Sequence, residues 1–295
     1  MIKSIDEYLD QLKEQLKGSD SATVQDALSD AEDHLTAALT NLKQEQPDMS
    51  EEEAFGQVVE QYGTPSETAS AYKEVERLTH PVLASRSPQD QSIIARFFGV
   101  YTDARAWGAL LYMLIAFVTG VIYFTWAVTG VSVSVSFLIF IFGFPLALLF
   151  LLSVRGLALL EGRLVEALLG IRMPRRPLFS HQDMKWFDRL KALLTDKATW
   201  LMLVYMLIQF VLGTTYFVLF VTVLSLSLSF IALPFIQLFW NMPVMQWGVE
   251  RIFLPYWGLV LISIGGLLLW TSFMHLARGI GQLHGRMAKA MLVTD

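Results

Sequence analysis

Between Arg105 and Arg155 the chain runs for 49 residues without one Asp, Glu, Lys or Arg. Two further runs follow, 52 residues from Lys197 to Glu250 and 26 from Arg251 to Arg278. A bilayer core is crossed by roughly 20 apolar residues of helix. Inside that core backbone groups find partners only within helices or closed barrels. Apolar runs this long and unbroken select the helical solution. The expected fold class is therefore all-α, a small N-terminal helical domain followed by a polytopic membrane domain. Four crossings are preferred. The 52-residue run is long enough for two, which leaves five as the alternative.

The charge that exists is segregated. Residues 1–80 hold 18 Asp and Glu against 6 Lys and Arg, net −12, and residues 81–295 hold 9 against 16, net +7. The first 15 residues are acidic and amphipathic and lack the apolar stretch of a signal peptide. The absence of cysteine excludes disulfides, thiolate nucleophiles and zinc–thiolate sites.

Helix punctuation divides residues 1–78 into four elements. Ser4 to Glu7 and Ser50 to Glu53 have the spacing of capping boxes, and Thr64-Pro-Ser-Glu67 adds an N1 proline. Gly18 and Gly63 fit helix ends. His34, beside Asp33 and one turn after Asp30, lacks a third convergent ligand, so the acidic residues read as a solvated face. No metal or cofactor is expected. The negative field argues against direct nucleic-acid binding and for a protein-docking role. A linker follows at 79–86.

The remainder reads as a duplication. Shifting the chain by 93 aligns residues 87–137 with 180–230, and 23 of 51 positions are identical. The matches include Asp103/Asp196, Trp107/Trp200, Tyr112/Tyr205, Gly120/Gly213 and Tyr123/Tyr216. Register resumes at a shift of 123, where Arg155, Gly156 and Arg163 meet Arg278, Gly279 and Arg286. The first unit is taken as 87–177 and the second as 178–295, with an insertion at about 231–255. Each unit opens with an interfacial amphipathic segment and holds two crossings. Trp107 to Thr129 is 22 residues, about 33 Å of helix, one full crossing.

Both units then carry alternating serine, Ser132, Ser134 and Ser136 in one and Ser225, Ser227 and Ser229 in the other. Period two is a strand signature. The stretch is either an extended reversal at the outer face or a continuing helix whose hydroxyls bond back to the preceding turn. The insertion, rich in Trp and Pro, reads as an outer-face, partly re-entrant element. Its Trp240 and Trp247, with Trp257, join the serines as candidate sensing residues.

Arg105, Arg155, Arg163, Arg172, Arg175, Arg176, Lys185, Arg189, Lys191, Lys197, Arg278, Arg286 and Lys289 are expected on one face, with Arg251 opposite. The positive-inside rule makes that face cytoplasmic, with both termini inside a cell membrane. The two units are expected to point the same way, with Trp107 and Trp200 at equal depth. Arg172, Arg175 and Arg176 form a patch suited to anionic lipid head groups. Arg155, Gly156, Arg163, Arg278, Gly279 and Arg286 are the candidate signal-coupling residues. Both glycine pairs, Gly120/Gly213 and Gly156/Gly279, are expected to permit close helix packing. The crossings are expected to hold no Asp, Glu, Lys or Arg. Gln209 and His275 are their strongly polar side chains, with His275 near the interface. That scarcity counts against an ion-coupled pump. No hydrolase, P-loop, dinucleotide or metalloprotease motif is present.

The segment EEEAFGQVVEQYGTPSETASAY, with the spacing of helices around it, resembles the HAAS-type signalling domain of bacterial membrane proteins, encoded beside PadR-like transcription regulators. The resemblance covers residues 1–75. The Trp-started helices, SFLIFIFGFPLALLF, SVRGLALLEGRLVEALLGIRMP and LARGIGQLHGRMAKAML resemble a bacterial sensor transmembrane domain that often precedes a histidine kinase core. No kinase module is expected behind this domain, so output is expected to leave through the N-terminal domain or a separate protein. Together these imply a non-enzymatic membrane sensor that passes a membrane or envelope cue to a cytosolic PadR-like regulator. A transport-related subunit handling a lipid or drug is the alternative, and a membrane scaffold a third. A homo-oligomer is compatible with all three.

Overall fold

The computed structural model describes residues 2, 4–78, 92–137, 140, 143–174, 186–248 and 250–293. The linker 79–86, Arg175, Arg176 and Lys185 lie outside these residues.

The first four helices are α1 (Ile5–Gln15), α2 (Ser21–Glu45), α3 (Glu51–Tyr62) and α4 (Pro65–Leu78). Their starts are set by side-chain caps. Ser4 Oγ accepts from the Glu7 amide, Asp20 from the Ala22 amide and Ser50 from the Glu53 amide. Glu67 closes a reciprocal box by accepting from the Thr64 amide at 2.8 Å. Each such cap is worth about 1 kcal/mol. The four helices enclose a core of Tyr8, Leu12, Leu16, Ala27, Ala31, Leu35, Phe55, Val58 and Ala69. The Tyr8 hydroxyl, buried in it, donates to the Gly63 carbonyl at 2.9 Å. Gly63 itself sits at φ +104, a conformation that favours glycine.

Four long helices are apolar enough to cross a membrane: α6 (Ala104–Phe137), α7 (Gly143–Leu169), α9 (Lys197–Trp240) and α10 (Tyr256–Leu292). The short α5 (Ile93–Phe98) leads through a 3-10 turn (Gly99–Thr102) into α6, and α8 (Trp186–Thr195) precedes α9. The 52-residue uncharged run is not two crossings. Its first 43 residues belong to α9, which continues through Pro234 and stops at Asn241 in the left-handed region. At 44 residues α9 is about 66 Å long, twice a hydrocarbon core. The insertion is thus the end of α9 followed by a small antiparallel hairpin, β1 (Met245–Trp247) with β2 (Glu250–Ile252). It is not a re-entrant element.

The serine stretches are helical. Ser132 to Phe137 close α6, and Ser225 to Phe230 lie inside α9. Ser136 Oγ donates to the Ser132 carbonyl at 2.8 Å, the back-bond to the preceding turn. Six residues of alternation do not outweigh the need of backbone groups in an apolar medium to pair within one helix.

The two units do not point the same way. Within the second hairpin α9 and α10 are antiparallel, since Gly266 meets Phe230 and Ser227 while Phe273 meets Phe220. Yet α10 runs parallel to α6: Tyr101 reaches Thr271, Asp103 reaches Arg278, Ala109 meets Gly281 and Tyr112 reaches His284. So α6 and α9 run in opposite directions. One core cluster accordingly joins Tyr123 and Ala127 to Leu203 and Met206. Another joins Val100 to Ala116 with Leu212, Tyr216 and Phe220. Trp107 and Trp200 therefore lie toward opposite ends of the α6–α9 pair, against the expectation of equal depth. The pseudo-two-fold lies across the helices, not along them. Identity between repeats fixes local conformation and leaves relative direction open.

Candidate functional site

Where α6 and α9 cross, side chains are replaced by backbone contact. A Cβ on Gly120 would lie 2.7 Å from the Gln209 carbonyl oxygen, and one on Gly213 would lie 2.1 Å from that of Ala116. Phe117 stacks on Phe217 and Phe124 on Phe210 at 4.6 and 4.7 Å between centroids. These are equivalent pairs under the 93-residue shift, exchanged across the crossing.

Two ion pairs clamp the helices beside the crossing, again exchanged between units. Arg155 on α7 donates to Asp196, whose other oxygen caps α9 through the Ala198 amide at 3.0 Å. Arg278 on α10 donates to Asp103 at 3.0 Å, and Asp103 also accepts from the Arg105 amide and Nε. Burial alone would lift the Asp103 pKa, but hydrogen bonds from Arg278 and Arg105 outweigh it and hold the carboxyl below its ordinary value.

Next to the crossing is a closed polar cluster. Glu161 on α7 is wholly buried, as is Gln209 on α9, and His284 on α10 is nearly so. The Tyr112 hydroxyl lies 2.5 Å from Glu161 Oε1 and 2.6 Å from His284 Nε2. The Tyr205 hydroxyl lies 3.0 Å from each of the same two atoms. Gln209 Nε2 donates to Glu161 Oε1 at 3.3 Å and to the Tyr112 hydroxyl at 3.2 Å. Tyr216 meets His284 Nδ1 at 3.2 Å. Glu161 Oε2, Gln209 Oε1 and the Tyr123 hydroxyl are buried without a close partner among the described residues, the Tyr123 hydroxyl standing beside the Glu161 carboxylate.

The cluster corrects the expectation that the crossings are free of ionisable groups. The Arg-Gly stretches do not leave the helices but continue α7 and α10, which carries Arg155, Glu161 and Arg163, and Arg278, His284 and Arg286, into the bundle. A signal for this stood in the sequence. Within the shared Arg-Gly-x-x-x-Leu-x-Gly-Arg motif, the residue after Leu is Glu161 in one unit and His284 in the other. Tyr112/Tyr205 and Tyr123/Tyr216 are likewise equivalent pairs.

The remaining candidate residues distribute as follows. Arg163 pairs loosely with Glu166 one turn on, at 3.6 Å, and Arg286 is exposed. Among the described residues nothing stands within 4 Å of a Cβ on Gly156 or Gly279, so these do not serve close packing there. The serines are not gathered into one outer site, because α6 and α9 carry them toward opposite ends. Ser134 and Ser227 are buried with unpartnered hydroxyls. Trp240 and Trp257 are exposed at the α9–α10 end, far along the chain direction from Ser132 to Ser136. Trp247 lies on β1. Arg172 is half-buried, with Nη1 unpaired among the described residues. His275 stacks on Phe97 and meets its carbonyl at 2.8 Å. His34 packs on Tyr62.

A protein-family profile described as "Putative sensor" matches residues 112–292. The chain belongs to this sensor family. The matched span opens at Tyr112 and includes all seven residues of the polar cluster. No curated protein and no solved structure matches the chain. Membership in a sensor family, with an all-helical body of four candidate spans, points to a non-enzymatic membrane role.

Proposed function

We propose that this member of the sensor family detects a membrane or envelope cue and passes it, through its N-terminal helical domain, to a cytosolic PadR-like transcription regulator. The observation that carries the reading is one ion pair. Lys289, in the last turn of α10, donates to Asp20, the N-cap of α2, and the Asp20 amide donates to Glu76 at 3.0 Å. The N-terminal domain thereby touches the bundle at the end of a helix that also holds His284 and Arg278. Through that pair a change in α10 would reach the capped end of α2. Support for the HAAS-like character of residues 1–78 remains the resemblance of the third and fourth helices, and the net charge of −12 over residues 1–80 favours a basic protein partner over nucleic acid.

In this reading both termini face the cytoplasm. The Asp20–Lys289 contact argues that they share a side, and docking to a cytosolic regulator makes it the cytoplasmic one. Arg105 and Lys197, at the starts of the opposed α6 and α9, lie toward opposite ends of the pair, against the expectation of a single basic face. The test is capture of cytosolic proteins by the full chain in native membranes against a chain lacking residues 1–78. A transcription regulator retained only by the full chain, and released by salt, is expected. The same protein retained by both would contradict the reading. A transport-related subunit is the second reading, favoured by opposed repeats that meet at a buried polar site, as in many transporters. Net movement of a lipid or drug across reconstituted vesicles would decide for it.

A further inference from the structure

The polar cluster contains a proton balance that its fixed groups leave open. Two phenols stand between one carboxylate oxygen and one imidazole nitrogen. If both phenols donate to Glu161 Oε1, then His284 Nε2 must carry the hydrogen that their oxygens accept, and Nδ1 accepts from Tyr216. Every atom named so far is then satisfied. What remains is Glu161 Oε2, bearing part of a full negative charge without a close donor among the described residues and with the Tyr123 hydroxyl beside it. A carboxylate buried at this depth, with its charge met mainly on one oxygen, is costly for a bundle to hold. Beside it the Gln209 carbonyl oxygen can only accept, while the Tyr123 hydroxyl can donate to the carboxylate or accept from it once it is protonated.

One added proton resolves all of this. Placed on Oε2, it neutralises Glu161 and supplies a donor where acceptors stand idle. The titratable groups facing the site are Tyr112 and Tyr123 from α6, Tyr205 and Tyr216 from α9 and His284 from α10, with Gln209 the remaining polar neighbour. Tyr216, His284 and the two phenols form a continuous hydrogen-bonded path to Glu161, along which a proton can be relayed. We propose that this cluster is a proton-binding site, taking up one exchangeable proton at Glu161, and that its occupancy sets the packing of the α6–α9 crossing. The consequence for signalling rests on the sensor reading; the binding itself does not.

Glu161→Gln is the natural probe, because a carboxamide keeps Oε1 and places donor hydrogens where the added proton would be. Full chain with carbon-13-labelled glutamate, in lipid nanodiscs, is followed by infrared spectroscopy over pH. The expected result is a protonated carboxylic C=O band that gives way to a carboxylate band as pH rises and is missing from Glu161→Gln. A Glu161 band that ignores pH, or no protonated band from Glu161 at any pH, overturns the proposal. A band that responds to sodium at fixed pH overturns it in favour of a monovalent-cation site. If Glu161→Gln fails to fold, the nitrogen-15 signals of His284 in the wild-type chain substitute. They must shift with the same pH midpoint as the labelled glutamate, and independent midpoints reject the shared path. Failure here leaves the pull-down reading untouched, and the reverse also holds.

Discussion

Gly213→Ala should destabilise the bundle, and Gly156→Ala should not. The new methyl at 213 would stand 2.1 Å from the Ala116 carbonyl oxygen, 2.6 Å from its carbon and 3.0 Å from Phe117 Cα. All three are backbone atoms of α6 and cannot swing aside as a side-chain tip would. Reaching an ordinary contact of 3.4 Å asks the helices to part by more than 1 Å, which loosens the Phe117–Phe217 and Phe124–Phe210 stacks as well. Overpacking of this kind costs about 1–3 kcal/mol. The helix propensity gained by replacing glycine returns only about 0.5–1 kcal/mol. At Gly156 the added carbon meets nothing within 4 Å, so only the gain applies. Unfolding in mixed micelles, followed by tryptophan fluorescence, measures the difference. If Gly213→Ala is as stable as Gly156→Ala, the close crossing and the antiparallel register built on it are wrong.

Arg155→Ala should cost about 1–3 kcal/mol, because it strips a mostly buried partner from Asp196; Arg278→Ala, whose partner keeps Arg105, should cost less. The same micelle titration ranks them. Asp103, held below its ordinary carboxyl value, stabilises the fold fully above about 3.8 and loses that contribution as pH falls through its lowered value. Asp103→Asn should flatten the acid limb of thermal stability against pH. In the N-terminal domain, burial and then the hydrogen bond to Asp30 push the Tyr72 hydroxyl up. Its contribution is complete below the ordinary value of 10.0 and falls away as pH rises above it, so Tyr72→Phe should lessen the alkaline loss of stability.

Much of the architecture was legible. Ser4, Ser50 and Thr64 announce their helices through local chemistry that needs no tertiary context, and the uncharged runs are helical over most of their length. The site was less so. Glu161 looked like part of a cytoplasmic Arg-Gly segment because hydropathy cannot say where a helix ends when its last turns are polar on one face. The direction of the second unit was not legible at all, since Gly120 and Gly213 read the same in either orientation. The serine pattern left two readings open, and the helical one holds because the need of backbone groups to pair within one helix, not propensity, decides secondary structure in an apolar medium.

The central claim is that the N-terminal domain is held on α10 and follows it. The chain has no cysteine, so spin labels attach only where Gln57→Cys on α3 and Leu283→Cys on α10 place them, both exposed. Their separation is measured by pulsed electron resonance on the full chain in nanodiscs. A single narrow distance is expected, broadening in Lys289→Glu and narrowing again when Asp20→Lys restores the pair. A distribution that is broad in the parent, or unchanged by Lys289→Glu, would contradict the account.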